Sequence, residues 1–348
     1  MRIGETSVEG VPRVTVLGAS GLIGCALTRR LARLPIRLRA VARRPTPVPA
    51  GAVADVDVRT ADLLAPGELA RAVEGSDAVV HLVAHMVGTT RWRLEADDAL
   101  AERVNRGLMT DLVDALAGTP RRGPAPVVLF AGTISQVGLA GRTRIDGSEH
   151  DAPAGAYDRQ KLAAEETLKH ATAQGLLRGI SLRMPTVFGH EPESHAPDRG
   201  VVSTMIRRAL AGERLTLWHD GTVLRDLIHV DDVARAFAAA LRHPDALAGG
   251  HWLIGGGNTT HLGEVFATIA ELVSRQTGLP PVPVVSVRPP EKAEATDFHS
   301  YEVDSSAFRE ITGWRPRIAL TEGLARTVRT LAEQRGHHST GLTGGVPR

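Results

Sequence analysis

Short apolar runs, each followed by a turn and then an amphipathic stretch, give the chain its first visible order. Val14-Thr15-Val16-Leu17 is an apolar run that ends in the turn Gly18-Ala19-Ser20-Gly21-Leu22-Ile23-Gly24. From Cys25 to Leu34, the residues Leu27, Leu31 and Leu34 recur at helical spacing and predict a helix. Leu38 to Ala42 reads as a second strand, stopped by Arg43-Arg44-Pro45, and Val56 to Asp62 as a third. Ala78 to Val83 and Val127 to Ala131 are apolar without alternation, as expected of strands buried on both faces. Helices are predicted from Pro66 to Val73, within Leu94 to Leu116, and from Gly155 to Gln174. A further strand is predicted at Ile180 to Arg183. Strands alternating with helices imply an α/β protein with a parallel sheet covered on both faces.

The texture changes after Pro185. Gly189 to Gly200 is rich in His, Glu, Pro and Asp and reads as a loop over a site. Leu262 to Val273 is helical, and Pro280-Pro281-Val282-Pro283 and Pro289-Pro290 interrupt the chain again. The expected organisation is an N-terminal extension (1–12), a nucleotide-binding domain (13–185), and a smaller substrate-binding lobe (186–315) with segments returning to the first. A C-terminal helix (316–334) and a disordered tail (335–348), rich in Gly and His, complete it.

Composition narrows the function classes. The chain has 348 residues, 43% hydrophobic and 23% charged, which suits a globular protein with a large core. The net charge is +2, and the arginines fall in scattered pairs rather than a block, which argues against nucleic-acid and membrane-surface partners. A single cysteine, Cys25, excludes an internal disulfide and a cysteine zinc site, and a buried packing role is expected for it. Met1 to Arg13 has no apolar signal core and no run reaches membrane-spanning length, so a cytoplasmic location is expected.

Three features carry chemistry. The G-x-x-G-x-x-G turn between a strand and a helix suits a pyrophosphate, because glycines admit it to the backbone and the helix N-terminus offers N–H groups. At the end of the second strand, an acid would hold the ribose hydroxyl of NAD, but Ala42-Arg43-Arg44 stands there instead. Guanidiniums suit a 2′-phosphate, so NADPH is the expected cofactor. Tyr157 and Lys161 lie one helical turn apart, among only two tyrosines and three lysines in the chain. An ammonium beside a phenol moves its pKa from about 10 toward the working range of a proton donor. Thr133, at the end of the preceding strand, is the candidate to hold a substrate oxygen, with Ser135 behind it.

With these pieces the chain resembles the extended short-chain dehydrogenase/reductases, the nucleotide-sugar epimerase/dehydratase type. The matching stretches are Gly18 to Gly24, Asp62-Leu63, Val80 to Ala84, Asn105, Thr133 to Gly138, Tyr157 to Lys161, Arg183 to Gly189 and Arg225 to Asp232. The resemblance implies a Rossmann doubly wound parallel sheet with a smaller α/β substrate lobe. It implies cofactor contacts from Gly18, Ser20, Gly21, Leu22, Ile23, Arg43, Arg44, Asp62, Leu63, Leu82, Val83, Ala84, Asn105, Lys161, Pro185 and Val187. Thr133, Tyr157 and Lys161 fall at the catalytic positions, and His85, Ser135 and Arg225 on the substrate side, with Arg225 near a diphosphate. Arg225 has a structural alternative, an ion pair with Asp226 or Asp232. Asp231 and Asp232 themselves read as helix-capping, and His85 as a second proton donor or as a wall of the pocket.

Departures from the family pattern narrow the reaction. Dehydratases carry Asp-Glu after the catalytic Thr, whereas this chain has Ile134-Ser135. The tyrosine of the usual Val-Tyr-Gly is missing before Gly138. With the arginine-bearing cofactor loop, the resemblance points to an NADPH-dependent ketoreductase of a dTDP-4-keto-deoxyhexose, of the kind that finishes deoxysugars for antibiotic glycosylation. A C4 epimerase, a reductase of apolar ketones, and a regulator that holds NADP(H) without turnover are the rivals. A homodimer is an option, and no metal is expected.

Overall fold

The computed structural model describes residues 11–86, 98–119, 123–139, 141, 143–190, 200–218, 220–257, 259–289, 293 and 295–340. A parallel sheet of seven strands forms its centre. The strands are β1 (Arg13–Leu17), β2 (Arg37–Ala42), β3 (Asp55–Thr60), β4 (Ala78–His81), β5 (Val127–Thr133), β6 (Arg178–Met184) and β7 (His251–Leu253), in the order β7-β6-β5-β4-β1-β2-β3. The chain order reverses between β1 and β4, so a crevice opens at their carboxyl ends, where doubly wound sheets bind ligands.

Burial explains the strands. All four residues of β4 are buried, as are six of seven in β5 and in β6. β3, at the edge, carries Asp55, Asp57 and Arg59 and is largely exposed, and such charges protect an edge from pairing with another chain. One face is covered by the helices Leu22–Leu31 and Val230–Ala240, whose apolar sides meet over Val16, Leu129 and Ile180. The other face carries the helices Leu108–Ala117 and Ala156–Ala173, packed through Leu112, Phe130 and Leu168.

A second core gathers the helices Val201–Leu210, Leu262–Thr277 and Leu320–Thr340 around Ile206, Ile269 and Val328. Beside it a three-stranded sheet places Leu224–His229 between Thr186–Phe188 and Thr259–His261. The chain from 186 to 315 does not stay in one place: Val230–Ala240 packs on the first helix, and β7 extends the large sheet. Among the described residues no helix is long and apolar enough to cross a membrane.

Two segments differ from the sequence expectation. The tail expected to be disordered from Arg335 continues the last helix to Thr340. Leu324, Val328 and Leu331 anchor that helix, and each residue added to an established helix gains a hydrogen bond without a new nucleation penalty. Residues 341–348 lie outside the described residues, as do 191–199 of the expected loop over the site. The helix expected within Leu94 to Leu116 contains a π-helical turn, Arg103–Gly107, between the α-helical pieces Ala99–Glu102 and Leu108–Ala117. π-turns insert one extra residue and gather at functional sites.

Candidate active site

The glycine turn sits at the end of β1, in the crevice. Gly18 has φ +86°, and a Cβ there would lie 3.1 Å from the Leu82 backbone. A Cβ on Gly24 would lie 2.2 Å from the Gly18 carbonyl oxygen. These two positions therefore need glycine, one to let β4's exit pass and one to let the helix close on the turn. The helix that follows begins at Leu22 with no side-chain cap and no acid in its first turn. A buried turn of this kind, with uncapped N–H groups, fits a dinucleotide pyrophosphate. Leu22 and Ile23 are half-buried against the core, and Ser20 is buried in the turn.

The other predicted cofactor positions line the same edge. Arg43 and Arg44 are exposed just beyond β2. Asp62 is exposed beyond β3, where its carboxylate accepts from the Leu64 N–H at 3.1 Å, and the Leu63 side chain belongs to the core. Leu82, Val83 and Ala84 leave β4 directly over the glycine turn. Pro185 is buried where β6 ends, and Val187 packs into the main core.

Asn105 lies in the π-turn and is fully buried. Its Oδ1 accepts from the His85 N–H at 2.7 Å, while its Nδ2 donates to the His85 carbonyl at 3.0 Å and to Gln160 Oε1 at 2.8 Å. The side chain thus clamps the exit of β4 to the Tyr157-bearing helix. His85 is held by its backbone, and its Nε2 lies 3.9 Å from an oxygen of Asp98.

Tyr157 and Lys161 occupy the start of the helix Ala156–Ala173, with Tyr157 half-buried and Lys161 only 2% exposed. The Lys161 ammonium lies 4.0 Å above the Phe130 ring of β5 and, among the described residues, has no hydrogen-bond partner. Burial pushes its pKa down to about 7, against the opposing pull of Glu165. His81, on β4, is driven to about 3 by burial and then by Lys161, so it is neutral. Its Nδ1 has no partner among the described residues.

Thr133 closes β5 and caps the short turn that follows. Its N–H donates to Gln136 Oε1 at 2.9 Å, and its hydroxyl lies 2.8 Å from that of Ser135. Ser135 Oγ donates to Asp158 Oδ1 at 2.6 Å, within the range for a hydroxyl on a carboxylate. Ser135 has one proton, and Asp158 takes it. The Thr133 hydroxyl is therefore the donor to Ser135, and the chain runs Thr133 to Ser135 to Asp158.

Beneath this turn lies a buried ionic network. Glu165 accepts from Gln136 Nε2 at 3.0 Å, Ser181 Oγ at 2.7 Å, Lys169 Nζ at 2.7 Å, and both Nε and a terminal nitrogen of Arg183 at 3.0 and 2.7 Å. Arg183 also grips both oxygens of Asp151, at 2.6 and 2.7 Å. Burial alone would raise the Glu165 pKa, but Arg183 and Lys169 bring it down to about 2.

Arg225 is placed differently from its sequence reading. Its guanidinium donates to the carbonyls of Leu224, His299 and Asp297 at 3.0, 2.5 and 2.6 Å, and no ion pair joins it to Asp226 or Asp232 among the described residues. Asp226 instead accepts from the Gly256 N–H at 2.6 Å. The expected capping by Asp231 and Asp232 also gives way: His229 Nδ1 caps that helix, accepting from Asp231 N–H at 3.2 Å. Asp231 pairs with Arg29, and Asp232 holds Arg235 and the N–H groups of Arg317 and Ile318. Phe188 and Tyr301 are core, and the Tyr301 hydroxyl donates to the Gly138 carbonyl at 2.8 Å. Cys25 is buried as expected.

A family model described as the NAD dependent epimerase/dehydratase family matches residues 14–255. The chain belongs to this family. It is 29% identical over 322 residues to a dTDP-6-deoxy-L-talose 4-dehydrogenase (NAD(P)(+)) of Kitasatospora kifunensis, covering 90% of this chain and 93% of the relative. It is 25% identical over 374 residues to a dTDP-L-rhamnose 4-epimerase of Burkholderia thailandensis, covering 95% and 98%. Among solved structures it resembles MoeE5 in complex with UDP-glucose and NAD, with a TM-score of 0.77, 27% identity, and coverage of 93% of this chain and 99% of that one.

Within this epimerase/dehydratase chain, sequence reasoning had passed over Asp158, Gln136, Gln160 and Glu165. Asp158 and Gln160 sit between Tyr157 and Lys161, and Glu165 follows Lys161 by one turn. That spacing was the available signal for Glu165. Nothing local marked Asp158, whose partner is 23 residues away.

Proposed function

We propose that this chain is an NADPH-dependent ketoreductase acting on a dTDP-4-keto-deoxyhexose. The observation that carries the reading is the site at the carboxyl edge: a glycine turn fitted to a pyrophosphate, two exposed arginines beyond β2, and Tyr157 with Lys161 beside the end of β5. The near full-length similarity to a dTDP-sugar 4-dehydrogenase supports the substrate class. The similarity to a dTDP-sugar 4-epimerase supports the same substrate class with a different outcome.

The bound cofactor would supply the hydride, and the protein's own residues manage the oxygen. Glycine turn N–H groups would take the pyrophosphate, and Arg43 and Arg44 would meet the 2′-phosphate. Tyr157 gives its phenolic proton to the alkoxide developing at C4. Lys161, as the ammonium, lowers the cost of the phenolate left behind and holds the nicotinamide ribose. Thr133 turns its hydroxyl from Ser135 to the substrate oxygen, while Ser135 stays fixed on Asp158. Asn105 and Gln136 act by position, one clamping the β4 exit and the other the Thr133 backbone. Neither neighbour of Thr133 in sequence is an acid, which disfavours dehydration.

The test is to mix the purified protein with dTDP-4-keto-6-deoxyglucose and follow NADPH absorbance, with NADH in parallel. Stoichiometric loss of NADPH with formation of a C4 alcohol is expected. Interconversion of C4 epimers with no net cofactor consumption would establish the epimerase instead.

A further inference from the structure

The helix Leu22–Leu31 points its N-terminus at the glycine turn, and its far end opens into a different feature. A ten-residue helix spans about 15 Å, which separates the two places. At the far end a cavity of about 100 Å³ is lined by five arginines, Arg30, Arg235, Arg242, Arg315 and Arg317, over a floor that includes Trp314. We propose that this cavity is a binding site for a compact, multiply charged oxyanion of the phosphate or pyrophosphate class, separate from the cofactor and substrate crevice.

The charge balance carries the inference. Arginines at helix C-termini are ordinary, and three such ends meet here: those of Leu22–Leu31, Val230–Ala240 and Ser306–Thr312. Each offers roughly half a negative charge, which does not offset five guanidiniums. No carboxylate lines the cavity among the described residues; Asp232, beside it, is taken by Arg235 and by the N–H groups of Arg317 and Ile318, and Asp231 by Arg29. Among the described residues the side chains of Arg30, Arg315 and Arg317 make no hydrogen bond or ion pair. Burial and then the charges of Arg235, Arg242, Arg317 and Arg33 hold the Arg30 pKa below its ordinary value, so the cations repel one another where they stand.

Arg30, Arg242, Arg315 and Arg317 are exposed and Arg235 is half-buried, but the backbone that carries them is fixed. Arg235 donates to the Arg315 carbonyl at 3.0 Å, and the Trp314 indole donates to the Asp232 carbonyl at 3.1 Å, fixing the 314–317 turn against the helix. The guanidiniums approach from three separate elements around one hollow, the arrangement that a tetrahedral oxyanion with several acceptors satisfies.

The test titrates pyrophosphate into the full chain at low ionic strength and compares wild type with Arg30→Gln/Arg242→Gln. Sites elsewhere, the glycine turn included, contribute equally to both proteins. Affinity in the double variant is expected to fall about tenfold or more, and added salt should weaken wild-type binding steeply. Without the anion, the variant should melt no lower than wild type, because repulsion has been relieved. The exposed single variant Arg315→Gln gives a second reading of the same loss. Equal affinity in wild type and variants, or no binding by wild type, would overturn the proposal. The second result would leave the arginines as a surface for an acidic protein.

Discussion

Replacing Asp158 by Asn tests the part of the site least visible in the sequence. Ser135 donates to this carboxylate at 2.6 Å, and Thr133 leans on Ser135 at 2.8 Å. A hydrogen bond to a charged group contributes about 1.5–3 kcal/mol, and one to a neutral group about 0.5–1.5 kcal/mol. Asparagine keeps an acceptor but loses the charge, and its amide N–H₂ can reverse the direction of the chain. The orientation of Ser135, and through it of Thr133, should lose about 1–2 kcal/mol of preference. At about 1.4 kcal/mol per decade that is a fall of roughly 5- to 30-fold in kcat. KM should change little, because Thr133 turns onto the oxygen during the reaction rather than supplying most of the binding. The assay is steady-state NADPH consumption with the keto sugar, for wild type, Asp158→Asn, Ser135→Ala and the double variant. Since Asp158 reaches Thr133 through Ser135, the part of its effect that runs through Thr133 should vanish in the Ser135→Ala background. Thermal melting separates any loss from Asp158's place in the first helical turn, which contributes about 0.3–1 kcal/mol. A kcat within twofold of wild type, or an effect that persists in full without Ser135, would refute the relay.

Three further outcomes are expected. Arg43→Ala with Arg44→Ala should weaken NADPH binding far more than NADH binding; equal losses measured by fluorescence titration would remove the case for a 2′-phosphate contact. Glu165→Gln leaves Arg183 and Lys169 short of a buried partner and should destabilise the fold by about 3–5 kcal/mol, and a urea midpoint close to wild type would contradict that. For Lys161, burial lowers the folded pKa to about 7 from an ordinary 10.5, so between these values the unfolded chain carries a proton that the folded chain has released. Stability of the cofactor-free protein should therefore rise with pH across that window, by about 1.4 kcal/mol per unit from this group. Lys161→Met should lack that rise, and parallel urea-unfolding curves for the two proteins at pH 7.5 and 9 would count against it.

What was legible in the chain follows from how far apart the interacting residues lie. The strands were legible because those buried on both faces are apolar throughout, as in Val127 to Ala131, and their alternation with helices left few topologies open. The glycine turn was legible because its constraints are local: a Cβ on Gly24 would collide with the Gly18 carbonyl six residues away. The buried network was not, since Glu165 meets Ser181, Arg183 and Gln136 only after β5, β6 and the helix are assembled. Arg225 shows the same limit from the other side. A guanidinium beside a site suggests an anion, yet its local environment supplies three carbonyls from a segment more than seventy residues on and from its own neighbour. Asp158 combines both cases. Its position next to Tyr157 gives no signal in a helical pattern, because residues one apart do not share a face. It points to Ser135 only because the helix begins there, at Ala156, and its first turn abuts the end of β5. A carboxylate is thus delivered to the Thr133 turn from the helix rather than from the strand, where the dehydratase pattern carries its acids, and it is bound through a serine rather than left open to substrate. Such an acid can orient a hydroxyl, but while it holds Ser135 it is not positioned as the free acid–base pair that elimination requires, which is why its presence does not return dehydration to the set of reactions proposed for this chain.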